Sequence, residues 1–202
     1  VSIIGMGALG TTLANHLVRA GIGKLIIVDR DFVEESNLQR QMLFDEEDAS
    51  NHIPKVIAAK QKLNLINSTV KIDAHIEDVN HSNIEKFVGN TDLILDGTDN
   101  MATRFLINDV SIKLGIPWIY GGVVHSRGMT ATIIPTKTPC FRCLFPNAET
   151  SHGETCDTLG VLSTVVHVIA AYQATEALKL LINDHNCVRK EMLQLDVWKN
   201  DY

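Results

Sequence analysis

A glycine-rich turn between a buried strand and a helix is the feature that most limits how this chain can fold. The turn GMGALG, from Gly5 to Gly10, follows the apolar run VSIIG and leads into a helical pattern from Ala8 to Ala20. The G-x-G-x-x-G spacing allows a tight turn and close approach of a ligand to the backbone, and the helix N-terminus offers free N–H groups to a phosphate. In this strand–turn–helix context the motif predicts nucleotide binding, whereas the same glycines alone would also fit an ordinary turn.

Strand and helix patterns alternate through the first half of the chain. The runs KLIIVD, TVKIDAHI and TDLILDGTD are typical of strands, and the segments Pro54 to Asn67 and Thr103 to Leu114 have helical spacing. This order predicts an α/β fold with a Rossmann-like doubly wound sheet that is mostly parallel. The strand patterns WIYGGVV and GMTATIIP flank HSRG, and EMLQLDVW ends the chain, so we expect an antiparallel extension of the sheet.

We expect one domain over residues 1–202, because this length suits a single core and the chain shows no internal boundary. The chain starts at Val1, already inside the first strand pattern, and it stops just past the last one. We therefore expect a fragment of a longer protein, truncated at both ends.

The composition limits the partners of the protein. Apolar residues make up 45% and charged residues 21%, and the formal net charge is −6, whereas a nucleic-acid surface needs clustered lysine and arginine. The apolar run from Leu159 to Ile182 is interrupted by polar side chains, which favours a helix in the core or at a subunit interface over a membrane span. The N-terminus shows no signal-peptide pattern. We expect a cytoplasmic protein with neither nucleic-acid nor membrane partners.

Asp29 stands at the end of the second predicted strand, nineteen residues after Gly10. A carboxylate at that place can accept hydrogen bonds from ribose hydroxyls. The acid strengthens the prediction of a nucleotide site without identifying the nucleotide. An NAD-dependent dehydrogenase and an ATP-using enzyme both fit.

Three further clusters bear on that choice. SNLQRQ supplies the amides of Asn37 and Gln41 and the planar cation of Arg40, which suits bidentate contact with a phosphate. PKVIAAK places Lys55 at the start of a helix, where a lysine gains nothing from the helix dipole. DGTDN places Asp99 at the carboxyl end of a parallel strand, the usual ligand edge of such sheets, where a carboxylate can bind Mg²⁺.

Each cluster taken alone also has a purely structural explanation. Arg40 fits a surface salt bridge, and Lys55 fits a solvated helix residue. Asp99 and Asn100 fit a cap for the following helix. Together, however, the clusters supply phosphate, metal and ribose contacts around one nucleotide, and hydride transfer needs no such set around a triphosphate. The combination favours ATP.

The motifs GMGALG, VDRDFVEESNLQRQ, PKVIAAK, DGTDN, CFRC and ATEALKLL, in this order, resemble the ThiF/MoeB family, bacterial relatives of the ubiquitin-activating enzymes. The resemblance covers essentially the whole chain. It implies ATP- and Mg²⁺-dependent adenylation of the C-terminal glycine of a small ubiquitin-like sulfur carrier, ThiS- or MoaD-like and ending in Gly-Gly, in thiamine or molybdenum-cofactor biosynthesis. It also implies a homodimer.

The resemblance implies roles for individual residues as well. Asp29 would hold the ribose, and Asp99 would bind Mg²⁺ beside the reacting α-phosphate. Asn37, Arg40 and Lys55 would bind the triphosphate. Arg40, Lys55 and Asp99 are thus the expected catalytic residues. The other expected nucleotide-binding residues are Gly5, Gly7, Ala8, Gly10, Gln41 and Asn100.

Three other functions stay open beside this one. The chain could activate another carboxylate with ATP, that of a peptide or of a tRNA-modification substrate, although the acidic balance argues against tRNA. It could be an NAD-dependent oxidoreductase, or a non-catalytic binding module that has kept the fold. One departure from the family pattern is Ala8, which stands where many members have a fourth glycine, and we expect its effect to be small.

The cysteines indicate metal or redox chemistry more than a disulfide framework. Cys140 and Cys143 supply two thiols at a tight turn, whereas a structural Zn²⁺ needs four ligands. The resemblance implies that a second pair completes a Cys₄ zinc site in the full-length protein, and a redox-active pair is the alternative. Cys156, before the long helix, is either a nucleophile that links to the carrier or a cysteine without a role. Cys187 is expected to be structural.

Overall fold

The computed structural model describes residues 1–146 and 160–202. In these ranges the strands are β1 (Ser2–Ile4), β2 (Lys24–Val28), β3 (Lys71–His75), β4 (Ile94–Asp96), β5 (Trp118–Val124), β6 (Arg127–Ile133) and β7 (Leu193–Asp196). They form one sheet in the order β3-β2-β1-β4-β5-β6-β7. The first five strands are parallel, and β6 and β7 add to them in antiparallel fashion. The predicted fold class is confirmed.

The helices of the described ranges are α1 (Ala8–Ala20), α2 (Glu46–Ser50), α3 (Lys55–Ile66), α4 (Ile84–Val88), α5 (Met101–Leu114), α6 (Phe141–Leu144) and α7 (Ser163–Leu181), with one 3₁₀ turn at Glu35–Asn37. The bounds of α1 are those that the sequence predicts. α5 begins two residues before the predicted Thr103, because Asn100 caps it. The sequence does not predict α2, α4, α6 or the 3₁₀ turn, since so few residues cannot display a helical period.

Successive residues of the parallel strands face two different cores. In β1, Ile3 packs with residues of α1, α3 and α7, and Ile4 packs with residues of α4, α5 and α6. In β4, Leu95 and Ile94 divide between the two cores in the same way. Because helices cover both faces, consecutive residues of β1 and β4 are buried and apolar, without the alternation of a strand that has one face in water.

The long helix α7 lies against α1 and the strands β5 and β6. Its residues Val165, Val166 and Ile169 are fully buried, as the interrupted apolar pattern predicts for a helix in the core. Among the helices of the described ranges, none combines the length and the apolarity that a membrane span requires.

The turns that follow β1 and β4 touch each other through glycines. Gly5 has a φ of +89°, and a Cβ at this position would lie 2.7 Å from the carbonyl carbon of Gly97. A Cβ on Gly97 would overlap the carbonyl oxygen of Gly5 and lie 2.9 Å from the Cα of Gly10. The glycine spacing is therefore needed for contact between the two turns as well as for access by a ligand. These turns meet where the strand order reverses.

Candidate functional site

A cleft of about 590 Å³ opens at the carboxyl edge of the sheet, where β1 lies between β2 and β4. Open α/β sheets bind their ligands at such a reversal of strand order. Ten of the eleven residues predicted for the nucleotide site line this cleft: Gly5, Gly7, Ala8, Asp29, Asn37, Arg40, Gln41, Lys55, Asp99 and Asn100. The eleventh, Gly10, packs behind the turn against Gly5 and Gly97.

The N-terminus of α1 faces the cleft without a side-chain cap. Gly7 occupies the capping position and offers no side chain to the first N–H groups of the helix. Helix N-terminal N–H groups carry partial positive charge and bind anions when no side chain occupies them. The arrangement of Gly7 and Ala8 thus suits a phosphate.

Asp29 ties the end of β2 to the glycine turn. Its Oδ2 accepts a hydrogen bond of 2.6 Å from the backbone N–H of Met6, and its Oδ1 accepts one of 2.8 Å from the N–H of Asp31. Burial raises the pKa of Asp29 above the ordinary aspartate value, although these two N–H groups and the nearby Lys55 charge act in the opposite direction. The two hydrogen bonds hold the carboxylate in place in the wall of the cleft.

Lys55 is a buried cation in the wall of the cleft. Its side chain is 8% exposed, and its Nζ lies 3.1 Å from Oδ2 of Asp31, whose side chain is 56% exposed. The backbone N–H of Lys55 also donates to the carbonyl of Asp31 at 2.9 Å. The lysine is therefore not the solvated helix residue that its sequence position alone would also allow.

The 3₁₀ turn and the residues after it supply amides and an arginine. Asn37 and Gln41 are buried, and the side-chain Oε1 of Gln41 has no hydrogen-bond partner in the described part of the chain. Arg40 donates from Nη1 to the carbonyl oxygen of Ser36 at 3.2 Å. The ion pairs found within residues 1–146 and 160–202 do not include Arg40, so the surface salt bridge that its position also allowed is not observed.

Asp99 and Asn100 lie at the mouth of the cleft, and both are exposed. The Oδ1 of Asn100 accepts a hydrogen bond of 2.8 Å from the N–H of Thr103, so Asn100 is the N-cap of α5. The capping explanation thus accounts for Asn100, which the sequence also assigns to nucleotide binding. It does not account for Asp99, whose carboxylate is available at the edge of the sheet.

A buried ion pair at the end of β4, between Asp96 and Arg104, is not among the residues that the sequence predicts for the site. The Nε of Arg104 lies 3.1 Å from Oδ2 of Asp96, which is fully buried. Arg104 lines the cleft, and its Nη2 donates to the carbonyl of Thr98 at 2.7 Å. Burial raises the pKa of Asp96, against the lowering effect of Arg104 and Thr98. The available signal was an aspartate at the end of an apolar strand, with an arginine in the first turns of the next helix.

The cysteine pair lies apart from the cleft, at the start of α6. The sulfurs of Cys140 and Cys143 are 3.5 Å apart, and the N–H of Phe141 between them donates to Oδ1 of Asn108 on α5 at 2.8 Å. Burial raises the pKa of the Cys140 thiol, but hydrogen bonds from the Cys143 and Arg142 N–H groups outweigh it and lower the pKa. Cys187 is exposed. Cys156 lies outside the described residues.

Comparison with protein-family models matches residues 1–202, the whole chain, to the ThiF family. The chain belongs to the ThiF family. The resemblance carried by the motifs is thereby confirmed.

Two relatives and one solved structure illustrate the similarity. The sulfur carrier protein ThiS adenylyltransferase of Bacillus subtilis (strain 168) is 45% identical over 199 residues, which cover 98% of this chain and 58% of that protein. The protein of the same name in Escherichia coli (strain K12) is 39% identical over 182 residues, covering 90% of this chain and 71% of the relative. A crystal structure of E. coli MccB with succinimide has a TM-score of 0.82 at 23% identity and covers 96% of this chain and 60% of MccB, which shows the shared fold.

Proposed function

We propose that this chain is the catalytic part of an enzyme that uses ATP to adenylate the C-terminal glycine of a small ubiquitin-like sulfur carrier. The observation that carries the proposal is the gathering of Asp29, Arg40, Lys55 and Asp99 around one cleft, beside the uncapped N-terminus of α1. Membership of the ThiF family supports the same reaction, as do the two relatives named ThiS adenylyltransferase.

The reaction brings two anions together. An oxygen of the carrier's carboxylate attacks the α-phosphorus of ATP, and the bond from that phosphorus to the oxygen shared with the β-phosphate breaks. The products are the acyl-adenylate and pyrophosphate. Because the attacking carboxylate is already ionised, the site needs fixed positive charge more than it needs a base.

The cleft offers that charge from several directions. The N–H groups at the start of α1 would hold phosphate oxygens, and Asp29 would accept from the ribose. Lys55 and Arg40 would stabilise the charge that develops on the departing pyrophosphate. The unpartnered Oε1 of Gln41 is buried beside the glycine turn, so an entering ligand that donates a hydrogen bond would satisfy it.

The residues present also fit a Mg²⁺ ion. Asp99 offers an exposed carboxylate at the mouth of the cleft, and carboxylate oxygens are hard ligands of the kind Mg²⁺ prefers. The neighbouring acid Asp96 is buried and paired with Arg104, so Asp99 is the residue that would hold the ion. When bound there, Mg²⁺ would neutralise charge on the phosphates.

A structural Zn²⁺ fits the cysteine pair. In a tetrahedral site with Zn–S bonds of about 2.3 Å, two thiolates stand roughly 3.8 Å apart, close to the 3.5 Å between Cys140 and Cys143. Within the described residues no cluster of three or more metal ligands occurs, so the pair would supply half of a site. Metal analysis of the full-length protein should find one zinc per chain, lost in Cys140→Ser. Full-length protein without zinc would refute this assignment.

The decisive assay is ATP–pyrophosphate exchange by the full-length protein with ThiS-type and MoaD-type carriers. We expect exchange with one carrier and none when its terminal glycine is deleted. Exchange with a short peptide but with neither carrier would replace the proposed substrate by another carboxylate. Absence of exchange with every carboxylate, together with a thermal shift by NAD and none by ATP–Mg²⁺, would overturn the proposal in favour of an oxidoreductase.

The homodimer, the cytoplasmic location and the covalent role of Cys156 remain predictions. Light scattering of the full-length protein tests the first, and cell fractionation tests the second. Mass spectrometry of the carrier–enzyme mixture tests the third, because a link through Cys156 would add the mass of the carrier and disappear in Cys156→Ser.

A further inference from the structure

The strands β4 and β5 separate just before the cleft. Their pairing ends at Leu95 and Ile119, one residue before β4 leads into the turn that carries Asp99. Beyond that point the Nε2 of Gln173 on α7 donates to the carbonyl of Asp96 at 3.0 Å and to the carbonyl of Ile119 at 3.3 Å. A single side-chain amide thus joins the two strands where their own ladder stops.

The same point is reached from the other face of the sheet by Arg104 on α5. Its Nη2 donates to the carbonyls of Thr98 at 2.7 Å and Gly121 at 3.1 Å. Gly121 leaves the room that Gln173 occupies, since a Cβ on Gly121 would lie 2.5 Å from Cδ of Gln173. Two polar side chains from opposite layers therefore fill one opening between β4 and β5.

Gln173 is an unusual choice for a buried position. It is fully buried, and its Oε1 has no hydrogen-bond partner in the described part of the chain. A buried polar atom without a partner is destabilising, and an apolar side chain of the same size would avoid that cost. The two donated hydrogen bonds, and not packing, are what the amide adds.

Those hydrogen bonds act on the turn through Asp96. The Oδ1 of Asp96 accepts from the N–H of Thr98 at 2.8 Å and from its hydroxyl at 2.7 Å, and the N–H of Gly97 donates to the carbonyl of Ile4 at 2.8 Å. The turn from Gly97 to Asn100 thus depends on where Asp96 stands. From α7, Gln173 holds the main chain of Asp96 through the hydrogen bond to its carbonyl.

We propose that Gln173 is a positioning residue that sets the place of Asp99 at the mouth of the cleft. Gln173 is not among the residues that line the cleft, so it acts through β4 and touches no substrate. The inference rests on the proposed function in one respect, namely that Asp99 holds the Mg²⁺ used in adenylation.

The test compares three variants of the full-length protein. Gln173→Met removes both donors at nearly constant length, and Gly121→Ala displaces the amide from the side of β5. Ile169→Val is the matched control, because Ile169 is fully buried on the same helix and packs against β6. Each variant is measured at the same interval below its own Tm, so that differences in global stability do not enter the comparison. Two readouts are used, deuterium uptake of a peptide spanning residues 93–104, and the Mg²⁺ dependence of pyrophosphate exchange.

We expect Gln173→Met and Gly121→Ala to speed deuterium uptake in this peptide. Loss of an outer-sphere positioning contact should also raise the half-saturating Mg²⁺ concentration about tenfold, with a smaller change in the KM for ATP. Ile169→Val should change neither readout. Uptake in Gln173→Met equal to that of Ile169→Val would overturn the proposal. If the wild-type protein exchanges pyrophosphate with no carboxylate, the proposed function fails, and deuterium uptake still decides whether Gln173 fixes the turn.

Discussion

Lys55 and Asp31 form an ion pair in which the cation is buried and the anion is largely open to water. Their atoms Nζ and Oδ2 are 3.1 Å apart, with side-chain exposures of 8% and 56%. In the proposed reaction an entering phosphate would replace the carboxylate, because Asp31 would then return to water while Lys55 keeps a negative partner. The pair would therefore hold the lysine in place for the proposed nucleotide.

Replacing Lys55 by methionine should lower the rate of pyrophosphate exchange by about 10²-fold or more. A loss of this order is usual when a protein group that stabilises the charge of the transition state is removed. Lys60→Met is the control, since Lys60 lies on the same helix but does not line the cleft. Steady-state exchange assays measure both variants. Equal rates in the two would show that Lys55 is structural.

Arg40 tests the geometry of phosphate contact as well as its charge. Arg40→Lys keeps the positive charge but loses the planar pair of donors, so it should recover only a small part of the activity lost in Arg40→Ala. Within the described residues, the Arg40 side chain donates one hydrogen bond, to the carbonyl of Ser36. Neither change should therefore lower Tm appreciably. Full activity of Arg40→Ala would remove this residue from the proposed machinery.

Asp99→Ala should abolish exchange at ordinary Mg²⁺ concentrations and leave the fold intact. The side chain is exposed, and α5 keeps its cap at Asn100. Circular dichroism checks the fold, and exchange measured over a range of Mg²⁺ concentrations checks the role. Near wild-type exchange in Asp99→Ala would mean that the metal is held elsewhere.

Asn100→Ala separates a helix cap from a nucleotide ligand. Loss of the hydrogen bond to the Thr103 N–H should lower the free energy of unfolding by about 1 kcal/mol. Because capping accounts for the Asn100 side chain in this structure, we expect the KM for ATP to stay within about twofold, well below the tenfold that 1.4 kcal/mol of lost binding would give. Chemical denaturation and exchange kinetics measure the two quantities. A large rise in KM without loss of stability would restore Asn100 to the nucleotide site.

The raised pKa of Asp29 gives opposite pH trends for stability and for binding. Since its folded-state pKa lies above the unfolded value, the stability that this group contributes is present at low pH and is lost as the pH rises through the raised pKa. Ribose hydroxyls instead donate to the ionised form, so ATP affinity should fall as the pH drops through the same pKa. Calorimetry with a non-hydrolysable ATP analogue should show this trend in the wild type and a weaker one in Asp29→Asn. The same trend in both would exclude Asp29 as its source.

Much of the fold was predictable because long periodic segments and glycine stops carry clear signals. α1 ends at Gly21, which adopts the left-handed conformation with a φ of +80°, and the helix pattern stops there. The cleft residues were predictable because each of the motifs G-x-G-x-x-G, SNLQRQ and DGTDN comes after, or begins at, the carboxyl end of a parallel strand. Parallel strands bring those ends to one edge of the sheet.

The residues that the sequence did not reveal act across long separations. Gln173 donates a hydrogen bond to the carbonyl of Asp96, which lies 77 positions earlier in the chain. In the sequence, a single glutamine in an apolar helix indicates only an interruption of the apolar pattern and does not identify its partner. Asn108 accepts a hydrogen bond from the N–H of Phe141, but it lies on α5, outside the cysteine motif. Such pairings depend on how helices pack on the sheet, and no local periodicity records them.

The contact between Gly5 and Gly97 joins the turn after β1 directly to the turn after β4. One turn carries the proposed phosphate contacts, and the other carries Asp99, yet their main chains touch without a side chain between them. A Cβ added at Gly5 or at Gly97 would clash with the main chain of the opposite turn and push the two turns apart. This main-chain contact therefore helps to set the distance between the proposed phosphate and metal positions, and side-chain substitutions elsewhere in the two turns would leave the contact in place.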